Sequence, residues 1–329
     1  MANELVKVGN VMTPAAARVL TPAQYGDLAE VPPELEWLAN ITNRKTREAY
    51  RIDVGEFSSF AGLRGFAEFR TVTRAHVIAW RKQLENRGLA DSTIRRKLSA
   101  LSALFDYLCE RNAVAGNPVD GVKRPAANAN EGSTPALGDA QARKLLDAPP
   151  EDTLKGVRDR AILATLLYHG IRCEELCRLR LRDLHSRRGV MHFRVHGKRS
   201  KIRFIPMHVT AQQLIEEYVA LAGHGSDPAA PVFRPVANNR TGTLDRPLDP
   251  DSVYHNIVQK YGRETGLSAQ VKGLCVHSLR ATAATNALDN KADIAKVQEW
   301  LGHANVSTTR LYDRRKTRPE DSPTFHVRY

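Results

Sequence analysis

Hydrophobic positions recur at helical spacing along most of the chain. In TNRKTREAYRIDVGEFSSFA (42–61), Tyr50, Val54 and Phe57 fall at i, i+4 and i+7, and Thr42 or Asn43 stands where an N-cap belongs. TRAHVIAWRKQLENRG repeats the spacing with Val77, Trp80 and Leu84, and Gly88 supplies a C′ stop. In ADSTIRRKLSALSALFDYLCERN, a stripe of Ile94, Leu98, Leu101, Leu104, Phe105 and Leu108 follows an N-cap at Asp91 or Ser92. The opposite face of that helix opens with Arg95, Arg96 and Lys97. Leu35, Trp37, Leu38 and Ile41 predict a short helix before these. Residues 36–122 therefore read as an all-helical domain, and residues 1–35, with TPAAARVLTPAQ and VPPE, as a weakly ordered lead-in. Residues 123–136, rich in Pro, Ala, Asn and Gly without an apolar period, read as a linker.

The second domain is expected over 137–315. GDAQARKLLDAP is one helix pattern, and VRDRAILATLLYHG, with Ile162, Leu163, Leu166 and Leu167, is another that Gly170 ends. IRCEELCRLRLRDL begins a further helix. Strand alternation is convincing only in GVMHFRVHGKRSKIRFIPM. There Met191, Phe193 and Val195 alternate with His192, Arg194 and His196, and Ile202, Phe204 and Pro206 mirror them beyond a polar tip at residues 197–200. A β-hairpin follows from that pattern. Residues 223–252 are loop-rich around a short VF segment, and helices return in VHSLRATAATNAL and DIAKVQEWLGH. Residues 316–329 form a tail: a charged connector, then Thr324–Tyr329, which alternates like a short strand. The fold class expected is mainly α, in two domains, with a small antiparallel sheet.

Composition changes one thing. The 329 residues are 42% hydrophobic and 26% charged, ordinary for a globular chain, but the net charge is +13. Such an excess favours a polyanionic partner. Arg44, Lys45, Arg47, Arg51, Arg95, Arg96 and Lys97 cluster near helix starts, where free N–H groups also favour phosphate. Duplex binding through such contacts is strongly salt-dependent. No apolar run approaches the roughly 18 residues needed to span a bilayer. MANELVKVGNVM lacks a secretory core, so a cytoplasmic location with no membrane partner is expected. Cys109, Cys173, Cys177 and Cys275 contain no CxxC pair. Cys173 and Cys177, at i, i+4 without a second ligand pair nearby, read as buried thiols rather than a metal site.

The residues suited to chemistry are ordinary one at a time. Arg172 in HGIRCEEL pairs by spacing with Glu175, as any helical i, i+3 salt bridge would. Lys198 sits at a hairpin tip, where basic residues are common. His277 and Arg280 share a helix face, His303 stands where a helix C-terminus would favour it, and Tyr312 in RLYD has the look of a half-buried phenol. Their order carries more: GxRxxEL, a lysine hairpin ending in Pro, HSLRATAAT, LGH, then a Tyr nine residues beyond His303. Over about residues 40–315 this pattern resembles the tyrosine recombinases, or phage-integrase family.

The resemblance implies roles by position. Arg172 and Arg280 match the arginines that grip a scissile phosphate, a task suited to a permanently charged bidentate donor. Tyr312 matches the nucleophile, and a phenol attacks poorly until its proton leaves. His277 matches the general base or proton shuttle, His303 a group hydrogen-bonded to the phosphate, and Lys198 the general acid on the departing 5′ oxygen. Lys201 competes for that role; the family pattern puts the lysine directly after the hairpin glycine, which selects Lys198. Glu175 is expected to orient a cation, although a plain helix salt bridge also accounts for it. The helical domain becomes a core-binding clamp closing on duplex DNA.

A 3′-phosphotyrosyl intermediate would conserve the phosphodiester energy, and the chain has no GxxxxGK[ST] nucleotide loop. No Asp/Glu cluster suited to divalent cations accompanies these residues, so neither metal nor cofactor is expected. The implied partners are double-stranded DNA with a specific recombination site, a homotetramer of this chain on two duplexes, and an accessory DNA-bending protein. The implied function is site-specific recombination for a mobile element or plasmid. Xer-like resolution of replicon dimers, a non-cleaving DNA-binding regulator on the same fold, and a relaxing topoisomerase are alternatives. The tail is expected to pack on a neighbouring subunit.

Overall fold

The computed structural model describes residues 21–29, 31, 33–126, 134–197, 201–237 and 242–313. Lys198, residues 127–133 of the 123–136 linker and the 316–329 tail lie outside the described residues. The chain divides into two compact units, Met1–Asn128 and Ala129–Tyr329. No helix among the described residues is long and apolar enough to cross a membrane.

The first unit is helical: α1 (Pro22–Ala29), α2 (Pro33–Asn40), α3 (Arg44–Ala61), α4 (Arg74–Asn86) and α5 (Asp91–Glu110). Helix α1 falls inside the stretch expected to be weakly ordered. Asn43 caps α3, its Oδ1 accepting from Thr46 N at 3.1 Å. Gly62, at φ +70, ends that helix in the left-handed region that glycine tolerates best. Gly88, also at φ +70, stops the chain just beyond α4. The expected stripes are buried: Val77, Trp80 and Leu84 in α4, and all six apolar positions of α5. Phe57 meets Trp80 edge-on, with ring centroids 5.1 Å apart, at the centre of this core. Full burial of each such side chain stabilises by about 1.5–3 kcal/mol. Two details differ from expectation. Ala90, not Asp91 or Ser92, is the N-cap of α5 and offers no side-chain bond. Lys97 belongs to the buried face, because an ion pair waits for it there (below).

The second unit contains α6 (Asp139–Leu146), α7 (Leu154–His169) and α8 (Cys173–Arg178). Next come β1 (Leu184–Arg187), β2 (Val190–His196), β3 (Ile202–Pro206) and α9 (Val209–Ala222). Helix α7 is buried nearly all round, with Arg158 paired to Asp159 inside, and packs against α9 and a C-terminal helix. After the 223–249 loops run α10 (Pro250–Val253), a π-helical turn, α11 (Gln259–Glu264) and α12 (Leu267–Gln270). Then come α13 (Val276–Asp289), α14 (Ile294–Leu301) and α15 (Val306–Arg310). Alanines 281, 283 and 284 let α13 lie close to its neighbours. Of the two thiols expected to be buried, Cys177 is and Cys173 is half-buried, as are Cys109 and Cys275.

The sheet departs from the expected hairpin in two ways. It has three strands in the order β1-β2-β3, all antiparallel, because HGIRCEEL opens only a six-residue helix before the chain turns to strand. Arg188 (φ 52) and Gly189 (φ 78) form the two-residue turn that joins β1 to β2. The second departure is parity. In β3 the outward residues are Ile202 and Phe204, 52% and 41% exposed, whereas Ile205 is buried opposite Phe193. Arg203 therefore points inward, paired across the ladder with buried Val195. Outside, the Arg187 guanidinium covers the Phe204 ring at 4.2 Å from its centroid.

Candidate active site

Arg172 is the N-cap residue of α8, and the reason it sits there is Glu175. The Glu175 carboxylate accepts from the Arg172 backbone N–H through Oε2 and from Arg172 Nη1 through Oε1, each at 2.9 Å. The same carboxylate accepts a two-pronged grip from Arg203, Nη1 to Oε1 at 3.0 Å and Nη2 to Oε2 at 2.7 Å. Burial pushes the Glu175 carboxyl up, but hydrogen bonds from Arg203 and the Arg172 backbone, with both charges, outweigh it and hold it at about 2. Arg203 Nε continues to the carbonyl of Trp300 at 3.2 Å, and Arg172 Nη2 reaches the carbonyl of Gly302 at 3.3 Å. Both arginines thus touch the turn between α14 and His303.

Arg280 lies on α13 and is 1% exposed. Its Nη1 donates to the Gly170 carbonyl, and its Nη2 donates to the Leu301 carbonyl at 2.6 Å. Gly170 ends α7 at φ +54, and a Cβ there would stand 2.9 Å from the Leu301 side chain. The glycine that stops α7 is therefore also the one that lets its carbonyl reach Arg280. Burial, then the charge of Arg172, pushes the Arg280 guanidinium below its usual value. Its Nη2 also lies 2.9 Å from His303 Nε2. An arginine can only donate, so Nε2 carries the lone pair and Nδ1 the proton, which is donated to Thr309 Oγ1 at 2.9 Å. Burial, then Arg280 and the other nearby cations, lowers His303 to about 4, which agrees with the neutral ring.

Tyr312 follows α15 and is 5% exposed, packed in a small core with Ala281, Ala284, Leu288, Val297 and Leu301. Its hydroxyl lies 3.1 Å from His277 Nε2. The His303 ring stacks beside it, centroids 5.9 Å apart at 25°. His277 is on the first turn of α13. Desolvation there, then the charges of Arg280 and Arg172, lowers its pKa and favours the lone pair that a base requires. Arg172, His277, Arg280, His303 and Tyr312 thus come together from α8, α13, the turn after α14 and the segment after α15. Of the hairpin lysines, Lys201 is exposed, and its carbonyl accepts from Gly197 N at 2.7 Å.

Arg203 and Thr309 were missed in the reading of the sequence. Counting apolarity along KIRFIP points Phe204 inward, so Arg203 falls on the wrong face. Thr309 stands three residues before Tyr312, on the turn of the helix that feeds it, and that spacing was the available signal.

The basic residues expected to meet DNA are placed differently from one another. Arg44, Lys45 and Arg96 are exposed and Arg95 is half-buried. Arg47 turns back to the Ile41 carbonyl through Nε and Nη2, at 2.9 and 2.7 Å. Arg51 is exposed and donates to Glu48. Lys97 is buried on Asp53, 2.9 Å away, and on Glu56, so its ammonium is committed inside the unit. Among the described residues no group of His, Cys, Asp and Glu could hold a metal ion.

The family profile described as "Phage integrase family" matches residues 136–318, and "Phage integrase, N-terminal SAM-like domain" matches residues 36–112. Tyrosine recombinase XerC of Xylella fastidiosa (strain M23) is 32% identical over 267 residues, covering 81% of this chain and 85% of the relative. Among solved structures, the XerH site-specific recombinase bound to palindromic difH substrate in a post-cleavage complex superposes with a TM-score of 0.67. It is 18% identical, and the match covers 89% of this chain and 80% of that one. A lambda integrase tetramer bound to a Holliday junction gives a TM-score of 0.64 at 17% identity, covering 96% and 86%. At those identities the structural likeness speaks for the fold, and the profile and the XerC relative speak for the family. This chain belongs to the phage integrase family, the tyrosine recombinases.

Proposed function

We propose that this protein is a site-specific recombinase that cuts and rejoins double-stranded DNA through a 3′-phosphotyrosyl intermediate, serving a mobile element or plasmid in the cytoplasm. The observation that carries the reading is the Tyr312 hydroxyl, 3.1 Å from His277 Nε2 and beside the Arg280–His303 pair. Tyr312 Oη attacks the scissile phosphorus and its proton passes to His277 Nε2. Arg172 and Arg280 stabilise the charge that builds on the non-bridging oxygens. As the P–O5′ bond breaks, Lys198 supplies the proton to the leaving oxygen. A phosphate oxygen that draws Arg280 away frees His303 Nε2, which donates to the phosphate once it takes up a proton.

A 5′ hydroxyl from a partner duplex then attacks the phosphotyrosine and restores Tyr312, so each bond broken is matched by one formed. Four copies on two duplexes, with an accessory DNA-bending protein, accomplish the exchange. The helical segment 36–122 acts as the core-binding clamp, 123–136 as its linker and 137–315 as the catalytic domain. Arg44, Lys45, Arg95 and Arg96 remain candidates for phosphate contact.

The 32% identity to XerC favours a second reading within the class, Xer-like resolution of replicon dimers. The test uses plasmids carrying one or two copies of the site from the protein's own flanking locus. Two-site plasmids that resolve or invert, while one-site plasmids do not relax, support a recombinase. Relaxation without a site requirement supports a topoisomerase, and binding without either supports a regulator.

A further inference from the structure

We propose that Arg203 is a positioning residue for DNA cleavage: through Glu175 it sets the Arg172 guanidinium and joins it to the turn that carries His303. The inference rests on reading Arg172 as a phosphate-gripping arginine, and deepens it.

Glu175 uses both oxygens twice, once each for Arg172 and once each for Arg203. Without Arg203, half of those hydrogen bonds vanish, and a buried carboxylate with open lone pairs draws Arg172 further onto itself. With Arg203 in place, the Arg172 side chain gives Glu175 only one nitrogen, Nη1, and remains 35% exposed. Arg203 itself is 15% exposed, and its Nε, Nη1 and Nη2 all donate inward, to Trp300 and Glu175. Its donors are committed to the protein, which makes it a support for the phosphate ligands.

The turn after α14 is shaped against the same side chain. Gly302 has φ +67, and a Cβ there would meet Arg203 Nη1 at 3.2 Å and Cδ and Nε at 3.3 Å. Gly302 also presents its carbonyl to Arg172 Nη2, and the next residue is His303. One guanidinium therefore fixes α8, β3 and the His303 turn together. An inward strand position beside Ile205 would ordinarily carry an aliphatic, since burying a charge costs unless it is well paired. Lysine keeps the charge but has no planar fork, so it cannot hold both carboxylate oxygens and the Trp300 carbonyl in this geometry.

The experiment uses the full-length chain and a nicked DNA site that traps the Tyr312 adduct. Single-turnover cleavage at saturating DNA, DNA affinity and melting temperature are measured for Arg203→Lys, Arg172→Lys and the double variant. Arg203→Lys should bind DNA and melt near wild type while cleaving about 100-fold more slowly, the scale of an ångström-sized misplacement. In the Arg172→Lys background the same change should add little, because residues acting as one unit are not additive. Wild-type cleavage by Arg203→Lys, or a full multiplicative loss in the double variant, overturns the proposal. If Arg203→Lys melts early, Glu175→Gln/Arg203→Gln, which leaves no lone buried charge, replaces it under the same expectations. If Arg172→Lys cleaves like wild type, the phosphate-gripping reading itself fails, taking this proposal with it. A crippled Arg172→Lys beside a fully active Arg203→Lys defeats the positioning role alone.

Discussion

The two units bury the same kind of ion cluster and put it to different uses. In the first, Asp53, fully buried on α3, holds Lys97 and Arg96 of α5, and Lys97 also reaches Glu56. The Lys97 side chain is 6% exposed, so its charge is spent on joining two helices. In the second, Glu175, 7% exposed, holds Arg203 inside and Arg172 at the edge, 35% exposed. Each cluster pairs a sealed cation, Lys97 or Arg203, with a more exposed one, Arg96 at 44% or Arg172 at 35%. A buried carboxylate is therefore not by itself a sign of function; each one holds a sealed and an exposed cation, and what distinguishes Glu175 is that its exposed cation, Arg172, also reaches the Gly302 carbonyl next to His303.

The largest effect is expected at Asp53. Asp53→Ala leaves Lys97 buried with a weaker partner and should cost about 3–5 kcal/mol of unfolding free energy, read by chemical denaturation. Cleavage per folded, DNA-bound molecule should be unchanged. Glu175→Gln should behave in the opposite sense, slowing adduct formation by about 10- to 100-fold through misplacement of Arg172, with a smaller loss of stability.

That second variant also carries a pH signature. The Glu175 carboxyl is depressed from 4.5 to about 2 in the folded state, so its contribution is fully present above about 4.5 and is lost as pH falls toward 2. It amounts to on the order of 3 kcal/mol at neutral pH. The stability gap between wild type and Glu175→Gln should therefore close on acidification, in denaturant titrations across that window. The smallest effect is expected at Arg96, whose side chain is 44% exposed while Lys97 still neutralises Asp53. Arg96→Ala should cost less than about 1 kcal/mol. A larger loss would mean that the exposed cation, not the sealed one, holds the cluster together.

The same contrast explains what could be read from the sequence. The helices of the first unit were legible because Val77, Trp80, Leu84 and the α5 stripe are apolar at helical spacing, and apolarity is what periodicity counts. The mainly α class with a small antiparallel sheet was legible for the same reason. Lys97 was not, because nothing local separates it from Arg95 and Arg96; its partners lie on another helix, more than forty residues away. Strand β3 failed in the same manner. Ion pairing to Glu175 draws Arg203 inward, and Phe204 outside is covered by Arg187 instead of by the core. Strand β1, LHSR, is too short and polar to show alternation. Periodicity thus reads burial driven by hydrophobicity and misreads burial driven by charge.

The central claim, that Tyr312 is the nucleophile of a DNA-cleaving centre, is tested most directly by covalent trapping. Wild type and Tyr312→Phe are incubated with labelled DNA from the protein's own flanking locus, without added metal, and separated on a denaturing gel. A shifted protein–DNA species is expected for wild type alone, and its digestion should leave a nucleotide on the peptide containing Tyr312. An adduct of equal yield from Tyr312→Phe, or one mapped to another residue, would contradict it.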